Sequence, residues 1–483
     1  MAKLSQSDAL SVLSRLTYGT TEAESFAVRE LGLKTWIENQ LSSKRTETHP
    51  LLQNDSAFLS KRLTLRETYN HPNFRRRFER VSSEVAGFAA VSRAFSTNQI
   101  RETLVEFISD YVPVPLFSDA DWARMDYDRV IRNGINETFP KLLASLAMHP
   151  AMLFYLNGQT NTASHPNENF GRELLELFTV TTRHGYKESD VLSASKMLSG
   201  ISFSLVEYKT IARPTDHYFG PINVLGFTHN NPRTDSSDVI LSRATQMIIF
   251  LAKLPATAKE FSRRMATRYL SDKPDAKLLS AMEKTYLDTQ GNIFAVLTTM
   301  ALHPAFLSTP PSKVKRPAEH MFSSIRALGL DLSSQLTDKR LSTELLASDA
   351  LNPLLAILSR QGHIPFDWET PDGFPDQALS WSTFGGQIQR WNLTSRLGQG
   401  NLKSIFSDPV FSEKILGFSD IPDLVGKVTQ TLLSAGMRAS DETEIVKLLQ
   451  KNEPRGLSDT ERRKRLSGMC FALVMASEEW NLR

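Results

Sequence analysis

Apolar residues recur at three- and four-residue steps in segment after segment of this chain, whereas the two-residue alternation of a half-buried strand is almost missing. A chain patterned this way buries its apolar surface by packing helix on helix. The pattern starts at 8–16 and continues through 21–41, where Phe26, Leu31, Leu33, Trp36, Ile37 and Leu41 recur at helical spacing. Thr20 and Thr21, followed by Glu22 and Glu24, supply a capping hydroxyl and first-turn acids for that second segment. Further helical segments are 98–111, 126–149, 167–181, 187–198, 238–253, 257–270, 276–289, 293–303, 317–328, 342–358, 384–397, 421–433 and 458–480. The best strand signal is Ile201-Ser202-Phe203-Ser204-Leu205-Val206, expected to pair with Asn223-Val224-Leu225 across a long connection. The expected fold is mainly α: one family-sized domain, 1–483, built from two packed helical lobes, 1–235 and 236–483, with one small β-hairpin.

With 483 residues, 41% of them hydrophobic and 23% charged, the chain has ordinary globular composition and ample length for a large core. A net charge of +3 is too small to imply nucleic acid or an anionic membrane as a partner. The single cysteine, Cys470, forbids an intrachain disulfide and any cysteine-based metal site, and its apolar run Met469 to Met475 marks it as a buried, inert thiol. No stretch has the length and apolarity of a spanning helix, and the first residues carry no signal-peptide core, so the chain as given is expected to be soluble. Nucleotide-binding glycine loops, a Gly-x-Ser-x-Gly elbow and a His-Glu-x-x-His helix are all missing.

Turn-forming residues place loops at 42–56, 113–121, 159–166, 210–234, 309–316 and 361–382, and the two longest are aromatic, polar and rich in Pro and Gly, as the walls of a site would be. One internal echo stands out: Met148-His149-Pro150-Ala151-Met152-Leu153 against Leu302-His303-Pro304-Ala305-Phe306-Leu307. Each follows an apolar helix, which the His-Pro pair ends, because proline disfavours the helical conformation in the residue before it.

The segment His165-Pro166-Asn167-Glu168-Asn169-Phe170-Gly171-Arg172-Glu173-Leu174-Leu175-Glu176-Leu177-Phe178-Thr179 closely resembles the signature of the bacterial domain-of-unknown-function family numbered 1800. Leu13 to Gly19, Leu31 to Leu41, Gly185 to Val191, His217 to Pro221, Lys313 to Pro317, Pro371 to Asp376 and Arg390-Trp391-Asn392 extend the resemblance, in order, over nearly the whole chain. The resemblance implies an architecture more firmly than a reaction, and with it a periplasmic or surface setting beside a sulfatase-like partner. This chain also departs from the family pattern: Ser109, Tyr111 and Phe178 stand where histidines are common. Relatives that bind a metal through those imidazoles would not be matched here, so the resemblance implies no tightly held transition metal; a weak divalent cation on carboxylates stays open.

Within the signature helix Phe170, Leu174, Leu177 and Phe178 make a core stripe, which sets Asn169, Arg172, Glu173 and Glu176 on the other face. Two carboxylates one turn apart suit acid–base work or a hard cation, and Arg172 suits an anion; an Arg172–Glu176 pair on a solvated face is the alternative. His217, beside Asp216 and near His229 in the 210–234 loop, is a candidate general base or else a hydrogen-bonded loop histidine. The candidate catalytic residues are thus Glu173, Glu176 and His217, and the candidate ligand-binding residues Asn167, Asn169, Arg172 and Arg390. The 361–391 stretch, with His363, Asp367, Trp368, Glu369, Asp372, Asp376, Trp381 and Trp391, reads as a carbohydrate wall or as a loop that covers core. Phe384, Ile388 and Trp391 at i, i+4 and i+7 are expected to face the core, so that Trp391→Ala would cost about 3–5 kcal/mol. Arg75-Arg76-Arg77 with Arg80, and Arg462 to Arg465, read as solvated helix faces.

Two functions follow. One is a degenerate, non-catalytic family member that binds a partner protein or envelope ligand in a loop-walled cleft. The other is a hydrolase or metal-dependent oxidoreductase acting on a polymer or its precursor through Arg172, Glu173, Glu176 and His217.

Overall fold

The computed structural model describes residues 3–42, 46–53, 57–74, 78–233, 236–334 and 347–483, and its architecture is mainly α with two small antiparallel two-stranded sheets. The Arg75-Arg76-Arg77 run and the start of the 342–358 segment lie outside the described residues.

The helices follow the apolar periodicity, and they break where the backbone requires it. The 21–41 segment is two helices, Glu22–Leu31 and Leu33–Leu41, because Gly32 sits at φ +76 between them. The 126–149 segment divides into Arg124–Gly134 and Phe139–Ala147, with Pro140 in the first turn of the second. Both His-Pro pairs end one helix and cap the next: His149 Nδ1 accepts from the Ala151 N–H at 3.1 Å and His303 Nδ1 from the Ala305 N–H at 3.2 Å. Thr138 and Asn292, each eleven residues before its histidine, meet in an antiparallel bridge, so the two echoing units touch at equivalent positions.

The strand pairing differs from the sequence expectation. Ile201–Ser204 (β1) pairs with Lys209–Ala212 (β2), and Ile222–Val224 (β3) with Phe227–His229 (β4). Local turns take precedence over the long connection: Leu225 and Gly226, both at positive φ, form a two-residue hairpin turn whose twist matches its strands.

Two apolar cores lie side by side. One holds residues from 9–41 and 100–306, the other mainly from 51–94 and 318–480, so helix Glu79–Phe95 crosses over to pack with the later part of the chain. Between them lies a buried ionic cluster. Glu106, in helix Gln99–Tyr111, accepts from Tyr18 Oη at 2.8 Å and pairs with Arg93 at 2.9 Å, with Arg316 at 2.5 Å and with Arg268. Arg316 also reaches Asp110 at 2.7 Å and Glu319 at 3.1 Å; Arg268 reaches Glu319 at 3.2 Å and Asp376 at 3.3 Å; Arg483 reaches Glu319 at 3.1 Å. Four guanidiniums thus meet four carboxylates. The surrounding cations hold Glu106 well below the usual carboxylate range, and Glu319 at about 2, against the opposing effect of burial. Asp110, with fewer cations against the same burial, is pushed up to about 6.

The expected core stripe on helix Phe384–Gly398 is corrected. Phe384, Ile388 and Trp391 are 79%, 37% and 46% exposed, and the helix buries Arg390, Leu393, Thr394 and Leu397 instead. Gly398 decides that face: its Cβ would stand 2.3 Å from the Gly468 carbonyl oxygen, and only two glycines let these helices cross so closely. Cys470 is buried as expected, and burial raises its thiol. Among the described residues no single helix is long and apolar enough to cross a membrane; Ser237–Lys253 and Pro255–Tyr269 qualify only when joined, and they are bent by 66°.

Glu106→Gln leaves three buried guanidiniums short of an anion and should cost about 3–5 kcal/mol of unfolding free energy in urea titrations. Asp110→Asn should behave oppositely with pH. A carboxyl whose folded pKa lies above its unfolded value costs nothing when both states are protonated, and its cost grows as pH rises through about 4 to 6. The asparagine variant should therefore gain on the wild type between about pH 4 and pH 8, a trend that urea titrations at the two pH values read directly.

Candidate functional site

The signature segment is helical from Asn169–Glu173 and then widens into a π-helical turn, Leu174–Phe178. Phe170, Leu174, Leu175 and Phe178 are buried beneath it. Gly171 permits the approach to helix Glu188–Leu198, since a Cβ there would lie 2.4 Å from Ser195 Oγ. A π turn leaves carbonyls without regular helical partners, and here side chains take them: Thr179 Oγ1 donates to the Leu174 oxygen at 2.7 Å and Arg264 Nη1 to the Leu177 oxygen at 3.1 Å. Arg264 also reaches the Asp110 carbonyl at 3.5 Å and lies 3.9 Å from the centre of the Tyr111 ring. One guanidinium therefore joins the end of helix Gln99–Tyr111 to the signature turn, and Ser109, Tyr111 and Phe178, where the resemblance implies histidines, lie in these two segments. Tyr111 and Phe178 are buried, Tyr111 packing on Phe107, Phe139 and Phe261, and Ser109 donates to the Val105 carbonyl at 2.7 Å.

The 361–382 loop comes near the polar face of the signature helix, close enough for Asp372 to act on Glu173. Tyr155 Oη donates to the Glu369 carbonyl at 2.7 Å. Asp372 accepts from Trp368 Nε1 at 3.0 Å and from Thr370 Oγ1 at 2.5 Å. Glu173, half-buried and accepting no hydrogen bond among the described residues, has its carboxyl raised, first by burial and then by Glu176 and Asp372, with Arg172 opposing. Glu176 accepts from Tyr186 Oη at 2.9 Å. Arg172 pairs with Glu188 at 2.8 Å and Glu168 at 3.2 Å; the alternative Arg172–Glu176 pair does not form. Asp367 is likewise raised, by burial and then by Glu369 and Asp121. The result is a face of carboxylates edged by Tyr155, Tyr186 and Trp368.

The loop is fixed from below. Gly373, at φ +73, lies so close to helix Gln99–Tyr111 that a Cβ would stand 2.0 Å from the Asp110 carbonyl oxygen. Asp376 belongs to the buried cluster, Lys313 donates to its carbonyl, and Phe374 packs against His363, Trp368 and Trp381. His363 is a buried ring held neutral by burial and by Arg316, and its Nδ1 accepts from the Ala318 N–H at 3.1 Å.

The other sequence candidates stand elsewhere. His217 is 3% exposed, its Nδ1 bonded to the Ser199 carbonyl at 2.7 Å and its Nε2 to the Asn231 amide at 2.9 Å. A carbonyl only accepts, so Nδ1 carries the proton and Nε2 takes the amide hydrogen, which leaves neither nitrogen open to a substrate. Ser199 follows the C-terminus of helix Glu188–Leu198, whereas Arg172 and Glu176 face the other end through Glu188 and Tyr186, and that helix is about 16 Å long. Asn167 and Asn169 bind the Asn157 and Leu156 carbonyls and so hold the turn before the signature. Arg390 is buried on Asn481, the Lys315 carbonyl and the Trp381 carbonyl. The sequence reading missed Tyr155, Arg264 and the roles of Tyr186 and the buried cluster; nothing in local spacing marks residues that meet only through the fold. Among the described residues no group of three or more His, Cys, Asp or Glu is arranged to hold a metal ion.

Residues 11–482 match the model of a family described as "Protein of unknown function (DUF1800)". Comparisons with curated proteins and with solved structures give no match.

Gly373→Ala should release the 361–382 loop from the Asp110 carbonyl, with a loss of about 1–3 kcal/mol and faster hydrogen exchange confined to that loop. Gly362→Ala, at φ +67 but with nothing near its Cβ, carries only the backbone strain and should cost less. Equal effects in the two variants would show that the close contact is not what holds the loop.

Proposed function

We propose that this chain, which belongs to the DUF1800 family of proteins of unknown function, is a non-catalytic binding protein that holds a partner protein or envelope ligand between the signature helix and the 361–382 loop. Glu173 carries this reading. A half-buried carboxyl without a hydrogen-bond donor, raised by burial and two neighbouring acids, is relieved when a cation arrives. The recognised group is therefore basic, a lysine or arginine side chain of the partner, and the rings of Tyr155, Tyr186 and Trp368 supply contact area around it. The same acids repel phosphates, which argues against nucleic acid. The sulfatase-like partner and the periplasmic or surface setting that the resemblance implies fit this reading as proposals, as does action by one undivided domain, 1–483.

A second reading, a hydrolase or metal-dependent oxidoreductase acting on a polymer or its precursor, is favoured by the same raised carboxyl, which is what a general acid needs. Its second carboxyl would come from Glu176 or Asp372, since His217 is engaged elsewhere.

Calorimetric titration with a synthetic lysine-rich peptide separates the readings. Salt-sensitive, saturable binding is expected, weakened about tenfold or more in the Glu173→Gln, Asp372→Asn double variant. Because Glu173 is raised, it takes up a proton before ordinary surface acids as pH falls, so affinity should decline from mildly acidic pH downward. Equal affinity of wild type and double variant sinks the binding reading. Turnover of nitrophenyl glycosides or esters, lost in Glu173→Gln, would establish the enzyme, and repeating the titration with magnesium asks whether a weak cation joins the carboxylates.

A further inference from the structure

A second surface carries aromatic and amide groups without charge. On helix Phe384–Gly398 the outward side chains Phe384, Ile388 and Trp391 follow at i, i+4 and i+7. Trp391 is half open to solvent yet fixed: its Nε1 donates to the Ala476 carbonyl at 2.9 Å, which sets the indole as one wall of a groove of about 460 Å³. Met469 and Leu473, from helix Asp459–Met475, are part of the apolar lining. Asn392, Ser395, Gln399 and Asn452 add amides and a hydroxyl, and none of the described lining residues is charged, although 23% of the chain is. The Asn392 side chain makes no hydrogen bond within the described chain, and the Asn452 side chain spends only its amide nitrogen, on the Leu448 carbonyl at 2.8 Å.

We propose that this groove binds a neutral oligosaccharide, with Trp391 as the stacking platform. The volume is that of a small-ligand site, mostly apolar with a few orienting polar groups. A sugar ring has the same division: a C–H face that lies on an aromatic ring, and hydroxyls at its edge that exchange hydrogen bonds with amides. A charged ligand would be desolvated here against no counter-charge. A purely apolar ligand would cover the Asn392 amide and the Asn452 amide oxygen without pairing them. Phe384 lies two helical turns before Trp391, about 10 Å along the axis, so a chain longer than the groove meets a second ring on the same stripe. The proposal does not depend on the acidic face.

The test is calorimetric titration of the full chain with cellohexaose, xylohexaose and maltohexaose, with thermal melts run on every variant. At least one hexasaccharide should bind saturably at millimolar concentration, with little dependence on salt. Trp391→Ala should weaken that binding about tenfold or more. Ser395→Arg, which puts bulk and charge into the groove without touching the Trp391 hydrogen bond, should do the same, and Phe384→Ser, at a position 79% exposed, should weaken it less. If Trp391→Ala does not fold, the other two variants carry the test. Failure of all three sugars to bind overturns the proposal, as does binding that survives Ser395→Arg in a folded protein, or a groove that takes a charged peptide in their place.

Discussion

The Glu106 carboxylate holds this structure in one arrangement. Taking four arginines and four acids out of water is costly, and that cost is offset only if every member finds its partner at once. The partners come from distant parts of the chain: Tyr18, Arg93, Arg268, Arg316 and, one step further, Glu319, Asp376 and Arg483. Apolar contact between two helical cores tolerates sliding, whereas a lattice of guanidiniums and carboxylates has one register. The cluster thus contributes specificity more than stability: it fixes how the two cores meet, and it draws Arg483 into the same place.

The acidic face inherits its position from that cluster. Asp376 is a member, and the loop that precedes it is laid on the carbonyl of Asp110, another member, through Gly373. Arg264 ties the same carbonyl to the π turn of the signature helix. Glu173 and Asp372 are therefore carried on two elements that share an anchor, so Asp372 stays near enough to add to the rise in the Glu173 carboxyl that burial and Glu176 chiefly cause. An exposed acidic patch on mobile side chains would relax by moving apart; this one is braced from beneath.

Much of this was legible in the sequence, and the exceptions have physical causes. Amphipathic helices such as Ile421–Leu432 declare themselves by their stripe, and glycine at φ +76 divided a segment that periodicity had run together. Helix Glu79–Phe95 escaped notice because nearly every residue is buried, so it has no polar face to set a period against. The Phe384, Ile388 and Trp391 stripe misled for the converse reason. Periodicity identifies a face but not the side it turns to, and the close crossing of Gly398 on Gly468 turned this one outward. At the candidate site the signature helix and the 361–382 loop were both recognisable, and their meeting was not. His217 and Arg390 looked equally functional, since sequence cannot distinguish a polar side chain with every bond satisfied from one left open.

The two proposed surfaces share one support. The 361–382 loop runs from Asp372, on the acidic face, through Asp376 in the ionic cluster to Trp381, whose carbonyl Arg390 holds at 3.4 Å. Arg390 lies on the buried side of the helix whose open side presents Phe384 and Trp391, and it also binds the Lys315 carbonyl next to Arg316. The structure holds one packing along this path, and coupling between sites requires an element with two arrangements. Occupation of one surface should therefore leave the other unchanged while the Asp376–Arg268 and Arg390–Trp381 contacts hold. The fold is a platform that displays two chemically different faces at once, one acidic and one without charge.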